Sequence, residues 1–211
     1  MQELLKNIAS IPENVKKIID SRLKEFSSFS HKSENEWFSE LCFCLLTANA
    51  KAKTALAVQR DIGFNGFYNL SEQELVSKLL EHKHRFHNIK SSRIVLARQH
   101  VDLKNTITEI VKTQNQQSAR DWLVQNVKGL GLKEASHFLR NTGHENLSII
   151  DRHIVAILKQ HNLLDSKFEV KNSSSYMQAE YICGSLAKQI NMSLSRLDLS
   201  LWYLKTGGVL K

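Results

Sequence analysis

A lysine and an aspartate are the residues of this chain best placed to do chemistry. Lys133 sits in Val127-Lys-Gly-Leu-Gly-Leu-Lys-Glu-Ala135, and Asp151 follows 18 positions later in Ile149-Ile-Asp-Arg-His153. An unprotonated amine attacks electrophilic carbon and forms a Schiff base. A neighbouring carboxylate takes up its proton and stabilises developing positive charge. The spacing puts Lys133 near the positive end of a helix, among other cations, where the neutral amine is favoured over the ammonium. Gly129 and Gly131 precede it and allow a second backbone to come close. Free amides at the start of the following helix would hold an anion. An amine, a carboxylate and a phosphate hook suggest chemistry on the sugar of a nucleic acid.

Each of these residues also has a plainer reading. Gly129-Leu-Gly131 serves equally as a turn between packed helices, with Leu130 filling its core. Lys133 reads as a solvated lysine or a second phosphate contact. Asp151 precedes an apolar helix and so reads as its N-cap, which is compatible with catalysis because a capped carboxylate stays ionised and rigid. His153 reads as a phosphate contact or as packing.

The elements that must position these groups are helical. The chain has 211 residues, 42% hydrophobic and 24% charged, with a single proline and eight glycines. That length supports one large domain or two small ones. Residues 122–140 read as helix, tight turn, helix: Trp122, Leu123 and Val127 line one side, and Ala135, Phe138 and Leu139 pack back. Ser33-Glu-Asn-Glu36, Ser71-Glu-Gln-Glu74 and Thr106-Ile-Thr-Glu109 read as capping boxes that start helices. Another amphipathic helix is predicted from Arg93 to Val101. Ile154, Val155, Ile157 and Leu158 mark one beyond Asp151, and a last one runs from Ser193 to Tyr203 with its stop at Thr206-Gly-Gly208. Gly63-Phe-Asn-Gly-Phe67 reads as a turn, and Lys171-Asn-Ser-Ser-Ser175 as a polar surface loop. No alternating strands and no internal repeat are present, so the fold class is all-α.

A formal net charge of +8 favours a polyanionic partner. Cys42, Cys44 and Cys183 are the only cysteines and show no disulfide framework or metal-binding spacing; Cys42 and Cys44, in the apolar run Leu41 to Leu46, are expected to be buried thiols. No signal peptide and no membrane-length apolar run is found, so a cytoplasmic, nucleoid-associated protein is expected.

At these residues the chain resembles the helix-hairpin-helix superfamily of DNA glycosylases. Lys133 falls on the lysine of the bifunctional members, Asp151 on the catalytic aspartate, and His153 on the phosphate-contacting position. The loop from Asn141 to Ile150 lacks the proline of the superfamily's Gly/Pro-rich loop. From Glu36 to Lys211 the chain is similar to the archaeal-type (second-type) 8-oxoguanine DNA glycosylase/AP lyases. The matching segments are Glu36 to Asn49, His84-Arg-Phe86, Gly131 to Asn141, Ile150 to Ile154 and Leu197 to Gly207.

The resemblance implies two helical subdomains with the active site in the cleft between them. One spans 30–133 and ends in the hairpin; the other joins 1–29 to 134–211. It implies that Lys133 and Asp151 are catalytic, that Gly129, Gly131 and His153 meet the DNA backbone, and that Trp202, Phe86, Asn49 and the main-chain carboxylate of Lys211 recognise the base. The oxidised guanine carries an N7–H donor where guanine has an acceptor, so a fixed acceptor would tell them apart. The implied partner is double-stranded DNA containing oxidised guanine, met by a monomer. The implied chemistry needs no metal or other cofactor, and the four-cysteine iron-sulfur loop of the endonuclease III branch is absent. The residues leave open a glycosylase for another damaged or mismatched base, a non-catalytic DNA-binding hairpin, and a basic scaffold for acidic proteins.

Overall fold

Side-chain caps fix where many of the helices begin. The structure, a computed structural model, describes residues 1–209. Along it run α1 (Gln2–Ala9), α2 (Glu13–Ser27), α3 (Glu34–Thr47), α4 (Ala52–Asn69), α5 (Glu72–Glu81), α6 (His87–Ala97), α7 (Leu103–Thr113), α8 (Gln116–Asn126), α9 (Leu132–Asn141), α10 (Arg152–Gln160), α11 (Ser173–Gln189) and α12 (Leu194–Thr206). No strand occurs among the described residues. Ser33 and Ser71 close full capping boxes with Glu36 and Glu74, as their spacing predicts. Gly207, left-handed at φ 74°, ends α12 at the predicted stop.

Four local expectations are corrected. Thr106 does not start a helix: α7 begins at Leu103, because Leu103 and Ile107 bury one face and the Glu34 carboxylate accepts from the backbone N–H of Lys104 (2.9 Å) and Asn105 (3.3 Å). The helix predicted from Arg93 begins at His87 and stops at Ala97. Beyond it the Arg98 guanidinium turns away to the carbonyls of Phe67 and Leu70, at 2.6–3.0 Å. Gly63 to Phe67 is not a turn but a kink inside α4, where Gly63 takes φ 55° and fully buried Phe67 keeps the second half packed. Asn172 to Ser175 is not a loop but the capped start of α11, with Asn172 accepting from Ser175 N–H at 3.0 Å.

Backbone contacts divide the chain into two units. Phe29–Phe138 forms one; Met1–Ser28 with the chain from Leu139 onward forms the other. The first is built around α3, which packs on α4, α6 and α7. Leu41 to Leu46 are wholly buried, and such a helix is apolar all round because neighbours cover every face. Each leucine or phenylalanine buried there contributes about 1.5–3 kcal/mol. Trp37 meets Phe138 edge to face, with ring centres 5.7 Å apart, and so ties α9 to α3.

The second unit is centred on α12, which packs on α1, α2, α10 and α11. Its buried charges are paired: Arg140 donates to Asp198, and its guanidinium lies 4.9 Å over the Phe26 ring. Cys42, Cys44 and Cys183 are buried free thiols, and burial raises the pKa of Cys42 and of Cys183, the latter to about 12.

Candidate active site

The hairpin is a five-residue connection, 127–131, between α8 and α9. Val127 and Leu130 are its buried anchors, and the Leu130 N–H donates to the Val127 carbonyl at 3.1 Å. Gly129 has φ 103°, a conformation open to glycine. A Cβ there would lie 2.3 Å from Cδ of Arg93, so the arginine side chain lies across this glycine. Gly131 has no such strain.

The start of α9 differs from expectation in one respect. The Gly131 amide is not free, because the Glu134 carboxylate accepts from it at 3.2 Å. Glu134 thereby does the work of an N-cap side chain and brings negative charge to the mouth of the helix, where the dipole favours it. Lys133, the second residue of α9, has its Nζ 3.7 Å from the other Glu134 oxygen, and its side chain is 28% exposed. Trp122 stands beside the hairpin with its ring edge-to-face on His100.

Lys90 lies behind this group. It is 2% exposed and donates from Nζ to the Leu45 carbonyl at 2.5 Å, in the last turn of α3. Burial brings its pKa down to about 8; the charges of Arg93 and Lys133 push the same way, and Glu134 opposes them. Two lysines and an arginine thus share one field with one carboxylate.

Asn49 and Phe86 belong to the same unit. Thr47 to Ala50 form a turn closed by the Ala50 N–H on the Thr47 carbonyl at 3.1 Å. Ala48 at φ −60°, ψ 116° and Asn49 at φ 56° give it type II geometry, and asparagine is the residue other than glycine that suits the left-handed position. Asn49 is exposed at the tip. Phe86 is left-handed too, at φ 60°, and caps α6. An exposed phenylalanine in that conformation is strained. Its ring is 44% exposed, with the Arg85 guanidinium 4.9 Å above it.

Asp151, His153 and Trp202 lie in the other unit. The segment leading to Asp151 is pinned to α11. The Tyr176 hydroxyl donates to the Ser148 carbonyl at 2.8 Å and accepts from Ile150 N–H at 3.3 Å, and the Glu180 carboxylate accepts from Ser148 N–H at 3.0 Å. Asp151 then caps α10: its Oδ1 accepts from the N–H groups of His153 and Ile154 at 2.8 and 2.9 Å. One oxygen holds the helix; the other makes no hydrogen bond among the described residues. His153 meets Trp202 edge to face at 5.0 Å, which joins the Asp-x-His element to α12. Trp202 is half-buried, and its Nε1 donor is shielded with no acceptor among the described residues.

The sequence-predicted residues therefore fall into two groups. Asn49, Phe86, Gly129, Gly131 and Lys133 share one unit, and Asp151, His153 and Trp202 the other. Lys211 lies outside the described residues. Glu134, Lys90 and Arg93 were missed. Glu134 had a visible signal, an acidic residue three places after a helix-opening glycine. Lys90 and Arg93 had none, because burial and a distant carbonyl give Lys90 its role, and Arg93 takes its place from lying across Gly129.

The family described as "8-oxoguanine DNA glycosylase" matches residues 19–192. Over 209 residues the chain is 44% identical to the 8-oxoguanine DNA glycosylase/AP lyase of Methanocaldococcus jannaschii, covering 99% of each. It is 39% identical over 210 residues to the protein of that name from Thermotoga petrophila, again covering 99% of each. The M. jannaschii 8-oxoguanine glycosylase/lyase in complex with a 15mer DNA containing 8-oxoguanine superposes with a TM-score of 0.94 at 43% identity, covering 99% of this chain and 100% of that one. The Thermotoga maritima 8-oxoguanine DNA glycosylase gives 0.91 at 38% identity, covering 100% and 99%. These matches agree with the all-helical architecture, and the chain belongs to the helix-hairpin-helix 8-oxoguanine DNA glycosylase family.

Proposed function

We propose that this chain excises 8-oxoguanine from double-stranded DNA and cuts the strand at the resulting abasic site. Near-full-length similarity to proteins of that activity supports the reading. The observation that carries it is Lys133 on the hairpin helix, with the Asp151 carboxylate rigidly capped and one oxygen uncommitted. The net charge of +8 grips the phosphates, and binding weakens steeply with salt. Flipping the damaged nucleotide costs a few kcal/mol. Asn49, exposed at the tip of its turn, occupies the gap left in the duplex, and the exposed Phe86 stacks on a base. Trp202, half-buried, offers a ring face for the base.

Neutral Lys133 then attacks the sugar C1′. The bond from C1′ to the base breaks, and the base leaves with the electron pair and picks up a proton. Asp151 accepts the proton released by the amine and stabilises the positive sugar. The ring oxygen then takes that proton back from Asp151 as its bond to C1′ breaks, and the nitrogen lone pair closes the protonated Schiff base. Loss of a C2′ proton expels the 3′ phosphate, and water then hydrolyses the Schiff base to regenerate the lysine. These steps draw only on an amine, a carboxylate and water, so no metal or other cofactor is required. One copy of the chain carries both reacting groups, which supports action as a monomer.

A panel of duplexes, each with one lesion, tests this under borohydride reduction. Excision and covalent trapping should be fastest on 8-oxoguanine. Faster excision of an oxidised pyrimidine or of a mismatched adenine would replace the substrate. Tight binding with no trapped species on any lesion would reduce the chain to a DNA-binding protein.

A further inference from the structure

Between the two strained turns lies a buried histidine that the mechanism does not use. His84 is 3% exposed, and each of its ring nitrogens faces a backbone carbonyl: Nε2 lies 3.0 Å from Leu46 O and Nδ1 2.5 Å from Arg85 O. Leu46 O sits in the last turn of α3, immediately before the turn that lifts Asn49. Arg85 O belongs to the peptide that leads into Phe86. The imidazole thus bridges the roots of two exposed, left-handed residues, Asn49 at φ 56° and Phe86 at φ 60°. Lys90 reinforces the same end of α3 through Leu45 O, and its own N–H donates to Phe86 O at 2.9 Å. The His84 N–H also donates to Leu79 O at 2.8 Å, anchoring the residue to the end of α5.

We propose that His84 is a positioning residue that couples the Asn49 turn to the Phe86 turn, so that the two side chains meet damaged DNA as one unit. Both tips are exposed and both take a left-handed φ, and the imidazole supports both from beneath. A neutral imidazole has one N–H and serves one carbonyl at a time, whereas the imidazolium serves both. Burial, with the charges of Lys90 and His87, lowers the pKa of His84, while the two carbonyls oppose that shift. At neutral pH the single N–H therefore serves one of the two carbonyls at a time, while the ring itself spans both turns. The proposal rests on the placement of Asn49 in the DNA gap and of Phe86 against a base.

Single-turnover excision from a duplex with one 8-oxoguanine tests it. Asn49→Ala, Phe86→Ala and the double variant are compared with His84 present and in the His84→Leu and His84→Gln backgrounds. With His84 present, the double variant should depart from the product of the singles by about tenfold, within the range seen for coupled neighbours. In His84→Leu the effects should multiply. His84→Gln, which keeps an amide donor for one carbonyl, should be intermediate, and it carries the test if the leucine variant does not fold. Borohydride trapping on a single-stranded abasic oligonucleotide, which has no gap to fill, should persist in both His84 variants; its loss would show general damage to the site and overturn the assignment. Equal coupling in all backgrounds would also overturn it. If neither Asn49→Ala nor Phe86→Ala alters duplex excision, the placement of those residues fails and the coupling role falls with it.

Discussion

On the proposed mechanism Asp151 has two duties, which a pair of substitutions separates. Its Oδ1 accepts from two backbone N–H groups at the head of α10, and its carboxylate charge would serve the chemistry. Asp151→Asn keeps an oxygen in the Oδ1 position and so keeps both hydrogen bonds. Only the favourable charge at the helix start is lost, about 0.3–1 kcal/mol. Asp151→Ala removes both bonds and should cost about 1–2 kcal/mol. For a chain of this size, 1 kcal/mol shifts Tm by about 2–4 °C. The asparagine variant should therefore melt within about 1–4 °C of the parent, and the alanine variant about 2–8 °C below it. Excision should fall in both alike, by about 10²–10⁴-fold, because an amide can neither take the lysine proton nor balance a positive sugar. Thermal unfolding by circular dichroism and single-turnover excision on the same preparations read the two effects. Near-parent excision by Asp151→Asn would leave Asp151 as a cap alone. An asparagine variant as unstable as the alanine one would show that the charge, not the two hydrogen bonds, holds α10.

The remaining predictions concern the hairpin and the lysine behind it. Gly129→Ala meets both a left-handed φ and the Arg93 side chain, and should lower stability by about 1–3 kcal/mol in urea. Gly131→Ala, at an unstrained position beside only the Glu134 oxygen, should cost less; equal losses would refute the special status of Gly129. Lys90 is held near pH 8 in the folded chain against an ordinary 10.5, so below pH 8 the buried ammonium is protonated in both states and its cost is fully present. From pH 8 to 10.5 the unfolded chain binds more protons, and stability rises with pH by about 3 kcal/mol from this group. Urea midpoints at pH 7 and 10 should diverge between the parent and Lys90→Met by that trend; parallel curves would mean that Lys90 titrates normally.

What the sequence discloses is what is local. Ser33 and Ser71 meet their glutamates three residues on, so those helix starts are legible. The start of α7 is not, because its capping carboxylate, Glu34, lies 70 positions earlier than the amide it serves. The same division holds at the site. Lys133 and Asp151 are readable because helix geometry and capping define them within a few residues. His84 and Lys90 take their roles from carbonyls 38 and 45 positions away, which no window of sequence contains. Glu134 lies between: its capping position was visible, but its claim on the Gly131 amide was not assumed. Phe67 and Asn172 show tertiary packing and side-chain capping overriding glycine- and serine-rich composition.

The central claim is that the Lys133 amine forms a covalent bond with the sugar. Borohydride reduction of the enzyme on 8-oxoguanine duplex, comparing the parent with Lys133→Gln, measures that bond. The parent should form a stable protein–DNA adduct whose tryptic map places the link on Lys133. The variant should still bind the duplex and should form no adduct. An adduct of undiminished yield in Lys133→Gln, or one mapped to Lys90, would contradict the account.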